Sequence, residues 1–222
     1  ELMQFADELE KADDFETALS KLIRRELAAH RRILFNGNGY SEEWPREAER
    51  RGLLNLRSTP EALIHYTDEK NVALFARHGV YTRTEIQSRQ DINMEEYAKI
   101  IHIEALTLID MLGKLIVPAC AAYSKQLAEG VAAKAGIGVD APAEAAQVRL
   151  LTEKTAELIE RAERLKAVVA AEPEELNARA MYEHEAVIPA MEAARQVADE
   201  LEGRVGKEYW PMPSYADLLF YV

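Results

Sequence analysis

Apolar residues recur at steps of three and four along nearly the whole chain, and no alternation long enough to make a useful strand interrupts them. After a helical stretch near residues 1–10, Asp13 or Asp14 precedes Phe15, Leu19, Leu22, Ile23 and Leu27 on one face, which predicts a capped helix reaching about Phe35. Its last turns carry Arg24, Arg25, His30, Arg31 and Arg32, cations that suit the negative end of a helix dipole. Three short helices are expected next. Ser41 is the expected cap of the first, with Pro45 in its opening turn and Gly52 at the left-handed C-terminal position. Thr59 is the expected cap of the second, with Pro60 at its first helical position, and "DEKNVALFARHG" predicts a third that stops at Gly79.

From Thr82 the elements lengthen. Thr82 followed three residues later by Glu85 is a capping box, so a long helix begins there. Met94, Tyr97, Ile101, Ala105, Leu108, Leu112, Leu115 and Ala119 form its expected inward stripe, Pro118 is expected to kink it, and the pattern fades near Gly136 and Gly138. A second long helix starts at Ala141-Pro142 with Val148, Leu151, Thr155, Leu158, Ala162, Leu165 and Val169 in a heptad-like seam, and Pro173 closes it. A third places Leu176, Ala180, Val187, Met191, Ala194, Ala198 and Leu201 inward, with Pro189 as a second kink. The expected fold is therefore all-α: short helices followed by an antiparallel bundle of long helices with proline kinks. The tail "YWPMPSYADLLFYV" is dense in aromatic residues and ends on a short helix capped by Ser214; so much apolar surface has to dock, on its own bundle or on a neighbouring subunit.

Composition narrows the functional classes. There are 39 acidic against 27 basic side chains, and residues 140–202 hold 15 acidic and 7 basic ones, two thirds of the net charge of −12. Nucleic acids and anionic membranes need clustered cations, so neither is an expected partner. No apolar run approaches the ~20 residues of a membrane span, and no signal-peptide pattern opens the chain. Cys120 is the only cysteine, and its setting "VPACAAY" predicts a small buried thiol in a reducing compartment, the cytoplasm. The opening "ELMQFADELE" reads as helix interior, so the chain is expected to be a piece of something longer.

Candidate chemistry is sparse. "FNGNGYSEEW" alternates two glycines and two asparagines after a basic run, but a phosphate loop needs Gly-x-x-x-x-Gly-Lys-Ser/Thr after a strand. Gly37 and Gly39 follow a helix, no Lys-Ser/Thr is present, and Glu42 stands where a dinucleotide fingerprint needs a small residue. A helix C-cap with Gly or Asn at positive φ, then Ser41 capping the next helix, accounts for the string. The same loop with Arg31, Arg32, Asn36, Gly37, Asn38 and Gly39 is the one candidate contact for an anion or a partner. No histidine has a Glu three residues before it, as a helical di-metal site requires, so no metal ligands are expected. Cys120 has no evident base nearby, and the acidic stretch 172–175 reads as a solvated helix boundary.

Read as strings, "RRILFNGNGYSEEWPREAERRGLLNLRSTPEAL", "DEKNVALFARHGVYTRTEIQSR" and "EEYAKIIHIEALTLIDM" resemble the C-terminal region of type III glutamine synthetase. The closing "VIPAMEAARQVADELEGRV" and "WPMPSYADLLF" are similar to the way those long-form enzymes end, so the resemblance covers nearly the whole chain. It implies a parent that joins glutamate and ammonia through γ-glutamyl phosphate using ATP and Mg or Mn, assembled as a homo-dodecamer of two hexameric rings. The family's metal-binding glutamates, nucleotide-binding segment and arginine motif have no counterpart positions here, so no catalytic, cofactor-binding or metal residues are carried over. Residues 1–35 then correspond to the last helices of the parent's catalytic domain and 36–222 to its helical extension. The expected role is structural, oligomer-packing or regulatory; the alternatives are a ligand- or partner-binding module using the loop 36–41, or an unrelated helical scaffold.

Overall fold

The computed structural model describes residues 2–220; residue 1, within the expected first helix, and residues 221–222 of the tail lie outside them. Helices and their connections make up the described chain, without a strand among the described residues, and no described helix is long and apolar enough to cross a membrane. The chain divides into two compact units, Glu1–Leu56 and Arg57–Val222. The expected boundary at residue 35 lies inside the first.

In the first unit, α1 (Leu2–Glu10) lies against α2 (Phe15–Ala29), and the Arg25 guanidinium reaches both Glu8 oxygens at 3.0 and 2.9 Å. Asp14, one of the two expected caps, accepts from the Thr17 amide and hydroxyl. The helix ends at Ala29, short of the expected Phe35. Residues Arg31–Ile33 tighten into a 3₁₀ turn, and the carbonyls of Arg32 and Leu34 accept from the Arg51 guanidinium rather than from a following helical turn. The next helix is α3 (Glu43–Arg50), closed by Gly52 at φ 72° with the Leu53 amide donating to the Ala48 carbonyl, the expected left-handed stop. Leu22 and Ala48 are the buried apolar residues among those described in this unit, whereas Phe15, Ile23 and Leu27 on α2 are about half exposed.

The second unit opens with α4 (Thr59–Leu63) and α5 (Glu69–Arg77). Ser58, not Thr59, caps α4: its hydroxyl accepts from the Glu61 amide while Glu61 Oε2 accepts from the Ser58 amide at 2.9 Å, which moves Pro60 to the second helical position. Three rods follow. The first is α6 (Arg83–Met111) and α7 (Val117–Gly136), joined through a π-turn at Leu112–Ile116; the second is α8 (Pro142–Val169); the third is α9 (Leu176–Tyr182) and α10 (Ile188–Glu202), joined through a π-turn at Glu183–Val187. The Thr82–Glu85 capping box starts the first rod as expected.

Buried residues show how the rods run. Met94 and Ala98 pack with Ala180, Ala105 with Leu165 and Val187, and Leu112, Ile116 and Cys120 with Leu151, Leu158, Ala194 and Leu201. Numbers rise along the first and third rods while they fall along the second, so the bundle is up-down-up, and the core is a set of stacked layers between rods.

Both expected kinks are π-turns. Proline has no N–H to donate, and its ring crowds the carbonyl four residues back. Here the turn before each proline widens: the Val117 amide donates to the Leu112 carbonyl and the Ile188 amide to the Glu183 carbonyl, five residues apart in each case. Each widening takes up one extra residue, so the apolar stripe slips. The expected inward positions Leu115 and Ala119 give way to Ile116 and Cys120, both buried, and Leu115 is 44% exposed.

The tail docks in part on its own bundle. Tyr209, Trp210 and Met212 pack against the layer around Leu112 and Leu201, and the Tyr209 ring sits 5.4 Å from that of Tyr123. A final helix, α11 (Tyr215–Leu219), is capped by Ser214 as expected, and Leu218, Leu219 and Phe220 remain exposed.

Candidate functional site

The glycine loop is a corner held from inside. The Asn38 side-chain oxygen accepts from the Tyr40 amide at 3.0 Å, and the Ser41 hydroxyl donates to the Asn38 carbonyl at 2.8 Å, so Ser41 closes the loop and does not cap α3. Neither Gly37 nor Gly39 has positive φ, contrary to the C-cap reading. Gly37 is small for another reason: a Cβ there would stand 2.4 Å from the Phe35 ring. That ring lies 4.8 Å from Trp44, and the Arg51 guanidinium sits 5.9 Å over the Trp44 ring.

A cavity of about 440 Å³ beside the loop brings Arg31, Asn36 and Gly37 together with Phe35, Glu43 and Arg51, whereas Arg32, Asn38 and Gly39 do not line it. Its electrostatics are mixed. Glu47 accepts from Arg50 and Arg51, which pull its carboxyl down to about 2, and Arg51 also holds the two backbone carbonyls of the 3₁₀ turn. Glu43 adds a carboxylate to the cavity wall, so Arg31 is its uncommitted cation among the described residues.

A second constellation lies in the long-helix unit, away from any contiguous motif. His102 projects from α6, Glu172 from the connection between α8 and α9, and Glu183 is the first residue of the second π-turn. One ligand-type atom from each lies within 4.8 Å of the other two. The His102 Nδ1 donates to Glu172 Oε1 at 2.7 Å. Glu183 is fully buried, and neither of its oxygens has a hydrogen-bond partner. Burial, then the neighbouring Glu172 charge, pushes its carboxyl up to about 7, while His102 and Arg179 act in the opposite direction. The Tyr97 hydroxyl is also raised, first by burial and then by Glu183.

Local structure fixes these three groups. Glu175 caps α9 by accepting from the Asn177 and Ala178 amides, Arg179 Nε donates back to the Pro173 carbonyl at 2.8 Å, and the Tyr182 hydroxyl donates to the Val168 carbonyl at 3.0 Å. The connection carrying Glu172 is thereby tied at both ends. A cavity of about 150 Å³ lined by Lys99, His102, Glu172 and Arg179 opens this cluster to the surface. The stretch expected to be only a solvated boundary thus delivers a largely covered carboxylate. The spacing rules could not find it, because the three residues come from separate segments.

Comparison with known proteins decides the family. A family model described as the glutamine synthetase C-terminal domain matches residues 18–135, more than half of the chain. The chain belongs to this family. It is 36% identical over 219 residues to the type-3 glutamine synthetase of Dictyostelium discoideum, covering 95% of this chain and 30% of that protein. Glutamine synthetases of Butyrivibrio fibrisolvens and Bacteroides fragilis (strain YCH46) are 34% and 32% identical, over 94% and 91% of the chain. The chain therefore spans about 30% of the length of these glutamine synthetases and corresponds to a C-terminal region of a type III enzyme. The unrelated-scaffold reading falls with this.

Proposed function

We propose that this C-terminal region serves subunit packing and stability in a parent enzyme that joins glutamate and ammonia at the expense of ATP, with Mg or Mn, in the cytoplasm. The catalytic machinery belongs to the rest of that parent, which assembles as a homo-dodecamer. Residues 1–35 complete its catalytic domain and 36–222 form the helical extension. The observation that carries the packing role is the uncovered apolar surface of the first unit: Phe15, Ile23 and Leu27 stand about half exposed on α2, and Leu2 and Met3 on α1 are largely exposed. A row of large apolar side chains at helical spacing is a docking face, and burying each is worth roughly 1.5–3 kcal/mol.

The test uses the full-length parent. Ile23→Asp with Leu27→Asp is expected to convert the large assembly into smaller species by size exclusion with light scattering, and to lower synthetase activity with it. Unchanged assembly refutes the packing role. A coupled assay with glutamate, ammonia, ATP and magnesium on the 222-residue chain is expected to read background, and glutamine formation there refutes the division of labour. The ligand-binding reading of loop 36–41 has less support, since Arg51 is committed to Glu47 and backbone carbonyls and Glu43 faces the same cavity.

A further inference from the structure

An ionised carboxylate that is fully buried, accepts no hydrogen bond and faces a second carboxylate is costly: each unmet polar group inside a fold costs about 1–3 kcal/mol, and a charge costs more. Glu183 is fully buried with no partner on either oxygen, and Glu172 and His102 stand beside it. Either a proton or a cation stands between the two carboxyls, and the side-chain cations at hand are spoken for. Lys99 pairs with Glu95 at 2.6 Å, and Arg179 spends its Nε and Nη2 on the carbonyls of Pro173 and Glu174 at 2.8 and 3.3 Å. His102 reaches Glu172 and leaves both Glu183 oxygens bare.

We infer that His102, Glu172 and Glu183 form a binding site for one divalent transition-metal ion, held between α6, the α8–α9 connection and the second π-turn. The donor set is one imidazole nitrogen and two carboxylates, a mixture that suits Zn²⁺ and its first-row neighbours better than Mg²⁺ or Ca²⁺, which favour oxygen alone. Ligand bonds to zinc are roughly 2.0–2.2 Å, so atoms already gathered within 4.8 Å need only small side-chain rotations to share an ion. Binding replaces the hydrogen bond between His102 and Glu172 by two metal bonds and gives Glu183 the partner it lacks. Three protein ligands leave a position open toward the cavity of about 150 Å³, which is also the entry path. The carboxylates come from two segments and the imidazole from a third, so the ion would tie the end of the second rod to the first and third.

The 222-residue chain, dialysed against chelator and then freed of it, is titrated with Zn²⁺ by calorimetry and with Co²⁺ by visible absorption. One ion per chain, Co²⁺ ligand-field bands and a higher unfolding temperature with Zn²⁺ are expected. Glu183→Gln and His102→Gln should each weaken binding by about tenfold or more, because the loss of a direct ligand exceeds the usual effect of its supporting partners. His65→Gln, which alters a half-buried histidine paired with Asp68 outside this cluster, should leave binding unchanged. Glu183→Gln keeps the shape of the side chain, and matching far-UV circular dichroism verifies its fold. Absence of Co²⁺ bands, or Zn²⁺ binding that Glu183→Gln leaves intact, overturns the site; the cluster then holds only a proton.

Discussion

Truncating Ile116 and its neighbour Leu115 to alanine tests the slipped register of the first rod. Ile116 is 5% exposed, packed in the layer with Leu112, Cys120, Leu151 and Leu158, whereas Leu115 is 44% exposed. Removing a buried isoleucine side chain loses its transfer free energy and leaves a hole, about 3 kcal/mol within a usual range of roughly 2–5. Leu115 already has nearly half its surface in water, so its truncation costs about 1 kcal/mol, partly offset by the better helix propensity of alanine. The expected gap is about 2 kcal/mol. For a chain of this size that is a loss of roughly 9 °C in Tm against 3 °C. Urea unfolding followed by far-UV circular dichroism reads both, with equal m-values showing that only stability has changed. In an uninterrupted α-helix the two positions flank the stripe about equally. Similar costs, or a greater one at Leu115, would refute the π-turn register.

Thr82→Ala removes the hydroxyl that accepts from the Glu85 amide and should cost about 1 kcal/mol in the same assay. Thr82's backbone and hydroxyl hold the Glu85 carboxyl below its ordinary value, so this support is complete above about pH 4.5 and fades as the pH falls through the lowered value; the gap between wild type and variant should narrow in acid. Trp210→Ala, in the docked half of the tail, should cost about 2 kcal/mol, whereas a chain ending at Pro213 should unfold within about 0.5 kcal/mol of the full one, as judged by urea midpoints. In chelator, Glu183→Gln should stabilise the chain at pH 8, since burial and the neighbouring Glu172 raise the carboxyl and it is ionised there at a penalty. That gain should vanish toward pH 5, where the native carboxyl is protonated at little cost, and a pH-independent gain would show that charge is not the cause.

What the sequence discloses and what it hides follow the range of the interaction. The box at Thr82 and the cap at Ser214 involve residues three apart and were legible without a structure, although the return bond from Asp217 to Ser214 was not read. Ser58 and Thr59 are adjacent cap-forming residues, and only the position of Glu61, three beyond Ser58, separates them. Pro118 and Pro189 announce a disturbance, but a kink and an inserted residue look alike locally; the choice depends on which side chains the neighbouring rods accept. Asn38 and Gly37 were recognisable as loop residues, yet the reason for Gly37 lies in the Phe35 ring folding over it. His102, Glu172 and Glu183 are 70 and 11 residues apart in succession, and nothing in their local strings distinguishes them from surface charge. Their meaning comes from the layer between Ala98 and Ala105 in which the three segments meet.

Cys120 gives the bundle a reporter of its own. It is the single cysteine of the chain, fully buried where the first and second rods meet, and burial raises its thiol above the ordinary range even with Thr155 nearby. A thiolate attacks an alkylating reagent only where water and reagent reach it, so this residue reacts only in the moments when the rods part. The rate of its modification is therefore a clock for breathing of the core, readable in the unlabelled, unsubstituted protein. Anything that clamps the rods together, an ion at one end or a neighbouring subunit at the other, should slow that clock without touching the sulfur.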